Sequence, residues 1–124
     1  MIDLALARYG LPAESLEIVD DVHEWCKREG VIDDHPFRVA KCFVLRDQFH
    51  IAITAVHTDD VIAGVKGGML FDGFAVEVAT LCTDELYLAH LVLHEVAMYV
   101  LRDPSQAVRD RWAFSELPRL QEVL

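Results

Sequence analysis

Residues 84–103, DELYLAHLVLHEVAMYVLRD, constrain the fold more than any other stretch of this chain. At 100° per residue, Leu88, Ala89, Val92, Leu93, Val96, Ala97 and Val100 fall on one helical face covering roughly half the circumference. A face that wide predicts a helix buried at the centre of a core. Thr83 is a good N-cap, Asp84 and Glu85 suit the positive end of the helix dipole, Arg102 suits the last turn, and Pro104 stops the pattern. The apolar run at 86–101 is shorter than the roughly 20 residues that span a bilayer, and it carries His90, His94 and Glu95 in its middle. A core helix is expected here, not a membrane span.

The rest of the chain supplies what must cover that helix. Residues 1–9 read as a short helix closed by Gly10. Residues 11–30, LPAESLEIVDDVHEWCKREG, place Val19, Val22 and Cys26 at helical spacing, flanked by Leu16, Ile18 and Trp25, with Gly30 as a C-terminal cap; a second helix is expected. From Phe37 the period changes. FRVAKCFVL and QFHIAITAVH are rich in β-branched and aromatic residues and read as strands joined by a hairpin at Arg46-Asp47-Gln48. In the second of these, Phe49, Ile51 and Ile53 alternate with His50, Ala52 and Thr54, as in a half-buried strand. VIAGVKGGMLFDGFAVEVATL reads as further strands, with Asp72-Gly73 as a type I′ hairpin turn. Gly64, Gly67 and Gly68 are then turn glycines, not a phosphate loop, since they do not open a helix. Ser105 caps a last helical region interrupted at Pro118. The expectation is one α+β domain over residues 1–124: N-terminal helices, a small antiparallel sheet of three to five strands, and C-terminal helices that include the buried central one.

The chemistry concentrates on that central helix. His90 and His94 are four apart and stack one turn from each other on a mixed stripe with Tyr87, Glu95, Met98 and Arg102. Two imidazoles at this spacing can converge on one metal ion if a third ligand comes from elsewhere. They can equally be core histidines bonded to backbone or tyrosine, with Glu95 paired to Arg102 or accepting from Tyr99. His23, His35, His50 and His57 are further candidate ligands that no motif joins to His90.

The arrangement resembles the ImmA/IrrE family of small zinc-peptidase-like domains. Leu88-Ala89-His90 matches the start of a helix of type T-L-A-H-E-L-G-H-x-L-L, and residues 110–118, DRWAFSELP, follow a downstream segment of type E-A-N-x-F-A-x-x-L-x-x-P. The similarity spans residues 74–118. It implies zinc held by His90, His94 and Asp110, the last standing where the family has glutamate. It also implies a defect. The catalytic glutamate falls on Leu91, which cannot take a proton from a metal-bound water. In the other register Glu95 follows His94 as the base, but Met98 replaces the second histidine, and a thioether is a poor zinc ligand. The resemblance therefore implies a retired peptidase scaffold that works mainly by binding another protein.

Charge narrows the partners. The formal net charge is −10, which opposes broad binding to nucleic acid, where phosphates call for Lys and Arg. Glu14, Glu17, Asp20, Asp21 and Glu24 are expected on the solvent face of the second helix. They read as a solvated surface or as a contact for a basic protein. An acidic inhibitory or binding protein without metal, of the phage anti-defence, anti-CRISPR or immunity kind, is the alternative function. Cys26, Cys42 and Cys82 form no Cys-x-x-Cys pair, which excludes a zinc knuckle and suits a reducing cytoplasm. A Cys-His enzyme would need Cys42 or Cys82 beside a histidine. MIDLALARYG, with Asp3 early, does not read as a signal peptide.

Overall fold

The computed structural model describes residues 1–31 and 38–123. Its elements are helix α1 (Ile2–Ala7), a 3-10 turn (Ala13–Ser15), strand β1 (Leu16–Val19), helix α2 (Val22–Glu29), strands β2 (Ala40–Leu45) and β3 (Gln48–Thr54), and helices α3 (Asp59–Phe71), α4 (Ala75–Val78), α5 (Asp84–Leu101) and α6 (Gln106–Val123). This is an α+β fold with helices at both ends, as the sequence predicts.

The sheet has three strands in the order β1-β3-β2 and is mixed, not antiparallel. β2 and β3 form the expected hairpin, with Leu45 opposite Gln48. Arg46 (φ 53°) and Asp47 (φ 63°) are both left-handed, as a two-residue type I′ turn requires. β1 pairs parallel to β3, Leu16 opposite Ile51 and Val19 opposite Thr54. β3 is covered on both faces: Ile51 and Ile53 are buried in the main core, and Ala52 is buried in a second cluster with Val19, Val22, Trp25 and Cys26. The alternation in QFHIAIT predicts a half-buried strand with one wet face. α2 covers it instead.

Two further expectations fail. Residues 16–19 are a strand, so only 22–29 of the expected second helix is helical. Ile18 and Val19 are β-branched, and Asp21 adopts an extended backbone to accept a 2.9 Å hydrogen bond from Glu24 N–H, starting the helix there. The helical spacing of Val19, Val22 and Cys26 was real as proximity, since all three share the second cluster. Gly30, left-handed at φ 72°, ends α2 as expected. The second failure is residues 61–81, which form α3 and α4 and no strand. Thr58 Oγ1 caps α3 by accepting from Val61 N–H at 3.3 Å, and Asp59 and Asp60 favour its positive end. Ile62, Val65 and Met69 then recur at helical spacing toward the core. Asp72 has φ −79°, which a type I′ turn forbids; Gly73 at φ 92° only redirects the chain into α4. Gly64, Gly67 and Gly68 lie within α3.

α5 starts at Asp84 as predicted but ends at Leu101, short of the expected 103, because Arg102, expected in the last turn, is left-handed. Thr83 Oγ1 accepts from Leu86 N–H at 3.2 Å, and Arg102 (φ 56°) closes the helix. It packs against α1, α6, β2 and β3, and residues 89–93 are all buried. α6 starts at a Ser105 cap and runs through Pro118 to Val123. Pro118 lacks the N–H that would bond the Phe114 carbonyl and crowds that carbonyl with its ring, yet the helix continues through it, with Leu117 and Leu120 buried on either side.

The hairpin turn carries two left-handed non-glycine residues. Asp47→Gly relieves one of them and should raise stability by about 0.5–1 kcal/mol in urea unfolding, without changing the dependence on urea.

Candidate metal centre

The buried stretch of α5 faces α6, and the seam between them is polar. His90 is fully buried and its Nε2 lies 3.0 Å from Asp110 Oδ1. One turn on, His94 Nδ1 lies 2.7 Å from the same oxygen. The donor atoms of His90, His94 and Asp110 all fall within 4.8 Å of one another, and among the described residues this is the one group of its kind. His90 and His94 are the pair that the sequence spacing singles out, and Asp110 is the third ligand that the resemblance implies. They come together because α5 stacks its two imidazoles at i and i+4 while the first turns of α6 bring Asp110 opposite them.

The protonation states suit ligands. Burial lowers the His90 pKa, and the opposing pull of Asp110 does not restore it, so the ring is held neutral. For Asp110, burial pushes the pKa up, but hydrogen bonds and charge from His90 and His94 outweigh it and hold the carboxyl at about 2. A neutral imidazole and an ionised carboxylate are the forms a metal needs. Two nitrogens and one oxygen make a common donor set for divalent zinc. Ligand atoms around a tetrahedral zinc sit about 3.3 Å apart; the two separations to Asp110, 2.7 and 3.0 Å, are shorter than that, and the two imidazole nitrogens lie within 4.8 Å of each other. The residues could hold a metal ion. One feature opposes it: His90 Nδ1 is buried without a partner, and it would carry the ring proton once Nε2 is a ligand.

The centre opens on a cleft of about 310 Å³. Val39 and Ala40 at the start of β2, Val65 and Met69 of α3, and Leu91 of α5 give it an apolar lining. Leu91, next to His90, offers no group for proton transfer. Glu95 also borders the cleft, but its carboxylate accepts a 2.8 Å hydrogen bond from Arg109 and stands outside the donor group. The pair is buried, with side chains 7% and 8% exposed. Arg109 also donates to the His94 carbonyl at 3.1 Å, so one guanidinium fastens α6 to α5 beside the ligands. Removing one partner of such a buried pair typically costs about 3–5 kcal/mol. Neither Arg102 nor Tyr99 engages Glu95 in the described contacts. Arg109 was not foreseen, although it directly precedes Asp110.

The other candidates lie elsewhere. His57 bonds Tyr87 Oη at 3.0 Å and the Thr54 carbonyl at 2.9 Å. His50 stacks on Phe43 at 5.6 Å. His23 sits on α2, and His35 lies outside the described residues. The Cys42 thiol is pushed up to about 12, by burial first and then by the Glu95 charge, so it forms almost no thiolate near neutrality. Glu14, Glu17, Asp20, Asp21 and Glu24 are all exposed, but they follow the 3-10 turn, edge strand β1 and the start of α2, not one helical face. No helix among the described residues is long and apolar enough to cross a membrane. No family model, curated protein or solved structure matches the chain.

The pKa shifts fix a direction for acid. Folding lowers the pKa of both His90 and Asp110. Below each ordinary value the unfolded chain binds a proton that the folded chain refuses, so stability is present above that value and is lost as pH falls. In chelator, the melting temperature should fall below about pH 6.5 through His90 and again below about pH 4 through Asp110. Asp110→Asn should remove the lower step in a melting series from pH 7 to 2.5.

Proposed function

We propose that this chain is a metallopeptidase-like domain that binds zinc through His90, His94 and Asp110, has lost its catalytic base, and acts by binding another protein at the cleft over α5. One observation carries the reading: three donor atoms converge at a cleft where neither neighbouring position supplies a free base. Position 91 is leucine, and Glu95 is tied to Arg109. The resemblance to the ImmA/IrrE family supports it, since Asp110 reaches the histidines from the helix that follows. When bound, zinc would supply charge at the cleft floor. His90, His94 and Asp110 would hold it, and the surrounding apolar side chains would exclude water. Cys26, Cys42 and Cys82 form no disulfide among the described residues, which suits a reducing compartment, and the cytoplasm is the proposed location.

A second reading keeps the binding function without the metal. The exposed carboxylates along β1 and the start of α2 favour it, because an acidic sheet edge suits a basic protein surface. An inhibitory or immunity protein would work in this way, with the histidines serving only to join α5 to α6.

Thermal unfolding separates the two readings. Zinc at about 100 times its dissociation constant adds about 2.7 kcal/mol, which should raise the melting temperature by about 10 °C relative to chelator. His90→Ala with His94→Ala should abolish that difference, and the zinc-loaded wild type should not hydrolyse peptides. Equal melting temperatures in zinc and chelator would contradict the metal site. Peptide hydrolysis lost in the double variant would contradict the missing base.

A further inference from the structure

His94 is held at both ring nitrogens. Nδ1 faces Asp110 Oδ1 at 2.7 Å, and Nε2 faces Gln106 Oε1 at 2.6 Å. Gln106 is the first residue of α6, one turn before Asp110, and it is exposed. Its carbonyl oxygen, not its amide nitrogen, is turned to the ring. His90 has no such support, since its Nδ1 is buried with no partner.

This difference matters for ligation. A neutral imidazole carries one bare lone pair and one N–H, and the partner of the second nitrogen decides which is which. Without metal, the ionised Asp110 only accepts, so it draws the hydrogen to Nδ1. When Nδ1 becomes a metal ligand the ring hydrogen must sit on Nε2, where Gln106 Oε1 lies 2.6 Å away and can accept it. We propose that Gln106 is a positioning residue for the metal centre. Its Oε1 accepts the Nε2–H of His94, fixes the ring plane, and presents Nδ1 to a divalent cation shared with Asp110. The inference rests on the metal-binding reading above. It makes His94 the oriented ligand of the pair and places the support on the solvent side of the site, where the His94 side chain is 13% exposed against 1% for His90.

Zinc affinity measured by competition with a chromophoric chelator tests this, using the wild type, Gln106→Met and Gln106→Glu. Methionine keeps the length and loses the acceptor. Binding should weaken roughly 10–100-fold. Glutamate accepts the same N–H, and affinity should stay near wild type or tighten. Gln106 is exposed, so the melting temperatures of all three in chelator should agree. Nitrogen-15 NMR of the histidines in the zinc-loaded wild type should show His94 coordinated through Nδ1 with hydrogen on Nε2. Wild-type affinity in Gln106→Met, or coordination of His94 through Nε2, would overturn the proposal while leaving the metal site intact. A wild type that binds no zinc would overturn both.

Discussion

One carboxylate joins the two longest helices. Asp110 is buried, ionised and shared by two imidazoles. Taking a carboxylate out of water costs several kcal/mol unless it is paired and hydrogen-bonded. His90 and His94 supply that pairing, and the cost makes the arrangement selective: α6 can dock on α5 at this level only where both histidines meet the oxygen. Arg109 repeats the logic one residue earlier, with Glu95 and the His94 carbonyl as its partners. An apolar seam would be cheaper to bury but would fix the register less tightly. The polar seam sets it, and it leaves three metal-binding atoms within reach of one another.

The remaining elements work around that seam. β3 supplies Ile51 and Ile53 to the core beneath α5, while α2 seals its other face. β2 runs along the sheet edge, and its start forms one side of the cleft. α3 forms another side, with Met69 as its one buried residue among those described. The cleft is thus bounded by pieces that the core does not fully absorb. A concave apolar site with a few convergent polar groups is the usual form of a binding site.

The sequence made α5 legible because its caps, its apolar face and its stop signal all agree. It made His90 and His94 legible through their spacing. Asp110 entered through the family resemblance, because no local rule ties a residue on α6 to one on α5. The middle of the chain misled. Val61, Ile62, Val65 and Val76 are β-branched and favour strands by propensity, and three glycines disguised a helix whose caps at Thr58 and the paired aspartates were there to be seen. β1 was hidden for the opposite reason: its four residues, LEIV, are too few to show a period, and only pairing with β3 makes them a strand. Arg109 and Gln106 gave no signal, because their importance lies in what they touch across the seam.

The most direct measurement is the metal content of protein purified without a histidine tag, by plasma mass spectrometry, for the wild type and for Asp110→Ala. The account predicts about one equivalent of zinc per wild-type chain and almost none in the variant. A wild type that stays metal-free after exposure to zinc would contradict it, and would leave His90, His94 and Asp110 as a hydrogen-bonded joint between helices.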